Sequence, residues 1–162
     1  MLFRSFDQPE WREEALDALE FICERQTGPD GRFRPIGSDS FGVKHDHLPF
    51  DQQPLEALAA IEACLFACTQ KFDSKWREHA EAAYGWFHGH NDRGDSLVDI
   101  KRGICRDGIT ARGINKNSGA ESLLAYQLSY YAMLDLTRIC AGEGGHVAQS
   151  RSGGSTRPVA AA

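Results

Sequence analysis

The sequence predicts an all-α fold of antiparallel helical hairpins, about four main helices with two long loops gathered at one end. Three observations predict it. Apolar residues recur at helical spacing in four separate runs. Only residues 97 to 100, Leu-Val-Asp-Ile, read as a brief strand. The connections between the four runs alternate long, short, long, so their lengths decide which helix ends meet.

The first run opens with Pro9, which a helix tolerates in its first turn, and extends to about Gln26 with Trp11, Ala15, Ala18, Leu19 and Ile22 as its apolar face. Residues 27 to 53 follow, rich in glycine, proline and aspartate. They exceed the roughly 12 to 15 residues beyond which a loop without secondary structure usually has a function. Pro54 starts the second run, which carries Leu55, Leu58, Ala59, Glu62, Leu65 and Phe66 at helical spacing and ends near Thr69. A short link leads to Asp73 and Ser74, both good N-caps, and to a third run with Trp76, Ala80, Ala83, Tyr84 and Phe87. The second long segment, residues 88 to 117, leads into the fourth and longest run, which ends near Cys140.

That fourth run has the clearest start signal. Ser118 followed by Glu121 reads as a capping box, in which each side chain satisfies a backbone N–H of the first turn. Its expected buried face is Ala120, Leu123, Leu124, Gln127, Leu128, Tyr131 and Leu134. After it the chain is small, polar and glycine-rich, too poor in large apolar groups to offset the entropy of ordering. The expected division is therefore a helical domain over residues 1–140 and a disordered tail over 141–162.

Composition excludes several classes of function. With 41% hydrophobic and 25% charged residues the chain has an ordinary globular balance, and a net charge of -5 argues against nucleic acid or an anionic membrane as partner. The first residues hold no uninterrupted apolar core, and no run approaches the roughly 20 apolar residues needed to span a bilayer. Five cysteines without a CxxC pair are expected as thiols, mostly buried, in a soluble cytoplasmic protein. No phosphate-binding glycine loop, GxSxG elbow or HExxH motif is present, and no cofactor is expected.

Both long loops and the starts of helices two and four fall at the same end by chain order alone. That end gathers Asp51, Gln52, Gln53, Arg106, Asp107, Asn115, Asn117 and Glu121, together with the HDH run that contains His47. Each carboxylate has two readings. Asp51 or Gln53 caps helix two, or Asp51 is an acid, a base or a ligand for a sugar hydroxyl. Asp107 belongs to an Asp-Gly turn, or forms a recognition pair with Arg106. Glu121 completes a capping box, or touches a ligand as well. The HxH and HGHND segments could supply metal ligands, but loop histidines in solvent are the expectation. Trp86 and Tyr126 fall off the main apolar stripes and are expected to line a groove or meet another helix.

Four ordered segments, FDQQPLEA, WFHGHND, CRDGI and NKNSGAESLLAY, carry a resemblance. From about residue 5 to 138 the chain resembles the closing part of a family of bacterial proteins that are named as glycosyltransferases or occur beside them. That part is similar to an (α/α) toroid of the six-hairpin glycosidase type. The resemblance implies a partial toroid whose helix N-termini line a carbohydrate cleft, with Asp51, Asp107 and Glu121 as catalytic candidates. His47, Gln52, Gln53, Arg106, Asn115 and Asn117 would then contact the saccharide. A complete ring needs more helices than the four here, so exposed helix flanks are expected, and with them a second copy of the chain or an upstream toroid partner. The rival expectation is a non-catalytic helical module that binds sugar or docks, its polar residues serving as caps.

Overall fold

The computed structural model describes residues 9–36 and 50–142. The expected tail beyond residue 142 and the HDH run with His47 lie outside them. The described chain forms four helices, α1 (Pro9–Arg25), α2 (Pro54–Gln70), α3 (Ser74–Phe87) and α4 (Ala120–Cys140). Two small antiparallel ribbons precede α4. β1 (Val98–Asp99) pairs with β2 (Ile104–Cys105), Val98 opposite Cys105, and β3 (Ile109–Thr110) pairs with β4 (Gly113–Ile114), Ile109 opposite Ile114.

The helix boundaries follow from local chemistry. Pro54 occupies the first turn of α2, where its missing N–H costs nothing, and the backbone N–H of the N-cap Gln53 donates to Glu56 at 2.9 Å. This is a capping box at α2. Asp73 caps α3 by accepting from the Lys75 N–H at 3.0 Å. The capping box expected at α4 does not form, because Gly119 is the N-cap and has no side chain to bond the first turn.

α2 is the centre of the bundle, packed on both α3 and α4, while α1 rests on it more lightly. The face α2 buries is Ala57, Leu58, Ala60, Ile61, Cys64, Ala67 and Cys68, and Leu55 is left exposed. α4 does the same more strongly. It buries Ser122, Ala125, Ser129, Ala132 and Leu136, spaced three and four apart, and exposes Leu124, Leu128, Tyr131 and Leu134. The expected face of α4 is thus largely the outer one. Small residues win the interface because they let two helix backbones approach closely, the separation being set by the side chains at the contact. α1 is also rotated from expectation, with Trp11 and Ile22 exposed and Leu16, Leu19 and Cys23 against the core.

α3 follows the ordinary rule and buries Trp76, Ala80, Ala83, Trp86 and Phe87. Four of the five cysteines are buried and all five are free thiols. No helix among the described residues is long and apolar enough to cross a membrane.

Candidate functional site

The end of α1, the start of α2, the end of α3 and the start of α4 meet, as the connection lengths predict. Gln52 is the hub. It has no exposed surface, and its backbone pairs with Ile109 through two hydrogen bonds of 2.9 Å. Its side-chain Oε1 accepts from Trp86 Nε1 at 2.8 Å, and its Nε2 donates to Asp92 Oδ2 at 2.5 Å. Arg34 grips the same carboxylate through Nε at 3.0 Å and through one Nη at 2.5 Å. The result ties the loop after α1 to the ends of both α2 and α3. A buried amide costs little once every polar atom has a partner, and such a network rigidifies what it joins.

Gly108 shows how closely these strands run. A side chain there would sit 2.3 Å from the Gln52 carbonyl, so only glycine fits. The buried Asn91 extends the network, donating to the carbonyls of Trp86 and Asp95 at 2.8 Å and accepting from the Arg93 N–H at 3.0 Å. Arg93 in turn lies over the Phe50 ring, 4.8 Å from its centre, and donates to the Ala111 carbonyl.

Asp107 fills the place that Ser118 and Glu121 were expected to take. Its Oδ1 accepts from the Gly119 N–H at 2.6 Å and from the Ser122 hydroxyl at 2.7 Å. A carboxylate here satisfies an orphan donor and faces the positive end of the helix dipole. These two bonds hold the carboxyl below its ordinary range. Arg106 braces the same turn by donating to the Lys116 carbonyl at 2.5 Å and to Ser118 Oγ at 3.3 Å. Asn115 accepts from the Asn117 N–H at 3.1 Å, and the Asn117 carbonyl accepts from the Asp107 N–H at 3.1 Å.

The structure therefore brings Arg106, Asp107, Asn115 and Asn117 together in one turn, with Gln52 and Gln53 on the adjoining backbone. These hydrogen bonds are to the fold itself. Asp51, Asn117 and Glu121 are exposed, and Gln52 points inward. Arg34, Asp92 and Trp86 are structurally central here and were not among the expected site residues. The signal for Trp86 was its position off the apolar stripe; Arg34 carried none. The signal for a remote cap was Gly119 itself, since a glycine at the N-cap leaves the first turn to an acceptor from elsewhere.

His88 packs against Tyr84 and Tyr126, with ring centres 4.9 and 5.7 Å away. Among the described residues no group of three or more His, Cys, Asp or Glu side chains is arranged to hold a metal ion. A cavity of about 280 Å³ lies between the β1–β2 ribbon and α4, lined by Val98, Asp99, Ile104, Tyr126, Gln127 and Tyr130. No protein-family model matches the chain, and neither a curated protein nor a solved structure is significantly similar to it.

Proposed function

We propose that this domain is a non-catalytic helical module that acts by association through the outer face of α4. The observation that carries the reading is the apolar stripe of Leu124, Leu128 and Tyr131, spaced four and three residues apart and widened by Tyr130 and Leu134. Leu124 is 60% exposed and Tyr131 62%. Contiguous large apolar groups on an otherwise polar surface mark an interaction site. The occupant that fits is a second copy of the chain, with its α4 antiparallel to the first. Glu121 and Arg138 stand at opposite ends of the stripe, roughly 25 Å apart at 1.5 Å per residue. Two-fold pairing sets each against its opposite charge.

The polar end supports the non-catalytic half of the reading. Asp107 spends its Oδ1 on the Gly119 N–H and the Ser122 hydroxyl, as the cap of α4. The carboxylates of Asp51 and Glu121 are exposed. The decisive experiment is the solution mass of the full chain with and without Leu128→Lys. A dimer that the substitution converts to a folded monomer supports the proposal; a wild-type monomer at every concentration overturns it.

A saccharide in the cavity beside α4 is the second reading. Its support is the resemblance to carbohydrate-active toroids and a lining that offers tyrosine rings beside the Asp99 carboxylate and the Gln127 amide. Titration with a panel of glycans tests it, with Tyr130→Ala expected to abolish any binding found. Turnover of a glycoside that Asp51→Asn removes would favour the enzyme instead.

A further inference from the structure

A thiol pair lies away from the polar end, where α1 crosses α2. Cys23 Sγ and Cys64 Sγ are 3.9 Å apart. Cys64 is fully enclosed, while Cys23 borders a cavity of about 560 Å³ between α1 and α3. His79 borders the same cavity, is 8% exposed, and its Nε2 has no hydrogen-bond partner among the described residues. A buried ring nitrogen without a partner is costly, and a neutral imidazole near a thiol can accept its proton.

We propose that Cys23 and Cys64 form a hydroperoxide-reactive site in which Cys23 is the nucleophile, Cys64 the resolving thiol and His79 the proton carrier. The cavity decides the oxidant. Among the described residues Glu20, Glu24 and Glu78 line it against one lysine, Lys75, which Glu20 already holds at 2.7 Å. An acidic mouth repels anionic disulfides and admits a small neutral peroxide.

In the first step the Cys23 proton passes to His79, and the thiolate attacks one peroxide oxygen. The O–O bond breaks, His79 returns its proton to the leaving hydroxide, and water departs from a Cys23 sulfenic acid. Cys64 then attacks the Cys23 sulfur, the S–O bond breaks, and the Cys64 proton leaves with the hydroxide as a second water. Two thiols are oxidised to one disulfide and the peroxide is reduced to two waters. Closure brings the sulfurs from 3.9 Å to about 2.05 Å, and α1, the most lightly packed helix, supplies the movement.

The division of roles agrees with the thiols' environments. The contact with Cys64 and the nearby His79 hold the Cys23 thiol well below its usual range, whereas the contact with Cys23 and burial push Cys64 well above. The thiolate is the reactive form.

The test treats the full chain with hydrogen peroxide, blocks free thiols, and maps the peptides by mass spectrometry. A Cys23–Cys64 link is expected. Cys64→Ser is expected to stop the reaction at a dimedone-reactive Cys23, and His79→Gln to slow Cys23 oxidation roughly 100-fold, the low end for a positioned acid–base group. If a variant does not fold, native alkylation of the wild type decides, with Cys23 expected to react before Cys64, Cys68 and Cys105. Peroxide that leaves Cys23 a free thiol, a link that omits Cys64, or labelling of Cys64 as early as Cys23 would overturn the assignment.

Discussion

α3 and α4 both pack on α2, and they do it with opposite kinds of residue. α3 places Trp76, Trp86 and Phe87 inside and leaves its polar side to solvent. α4 places serines and alanines inside and leaves leucines and tyrosines out. The first interface is closed and anchored by a buried hydrogen bond between Trp86 and Gln52. The second is close-packed but leaves Leu124, Leu128 and Tyr131 substantially exposed. One helix covers its large apolar residues; the other leaves leucines and tyrosines at its surface.

The contrast is broken most severely at Trp86. Trp86→Ala removes the largest fully buried side chain among the described residues and the hydrogen bond it donates to Gln52 Oε1, so denaturant unfolding should show a loss of about 3–5 kcal/mol. Next comes the small face of α4. Ala132→Leu adds three carbons where α4 meets the core, and overpacking of that kind should cost about 1–3 kcal/mol by the same measurement. A weaker result would mean that α4 does not depend on close approach.

The smallest expected effect is at the α4 cap. Asp107→Asn should lower stability by about 1 kcal/mol at neutral pH. Because the folded carboxyl lies below its unfolded value, its contribution is present above the ordinary aspartate range. It is lost as pH falls through the folded pKa. The difference between wild type and Asp107→Asn should therefore shrink on acidification, and a pH-independent difference would remove the charged cap from the account.

The helices and their meeting point were legible in the sequence because they rest on local signals. Pro54, Asp73 and the two long loops settle where helices begin and which ends converge. The buried faces were not legible in the same way. Counting large apolar residues assigns α4 its Leu124–Leu128–Tyr131 side, whereas the interface selects the side that allows α2 to come near. That selection depends on Ala57, Ala60, Cys64 and Ala67 of another helix. The cap was missed for a similar reason: Asp107 is twelve residues from Gly119, beyond the reach of a capping-box pattern. Of the expected site, the turn around Arg106, Asp107, Asn115 and Asn117 was foreseeable from loop convergence, but its internal bonding needed the fold.

The central claim is that α4 presents an interface to a second copy, and reciprocal charge reversal tests it most directly. Sedimentation of Glu121→Lys and of Arg138→Glu should each show a weakened dimer, since each places like charges at both ends of the stripe. An equimolar mixture of Glu121→Lys with Arg138→Glu sets opposite charges at both ends of the mixed dimer, and the double variant Glu121→Lys with Arg138→Glu does the same within a single species. The account predicts that the double variant regains the wild-type dimer. A double variant as weak as either single one, or a wild type that sediments only as a monomer, would contradict it.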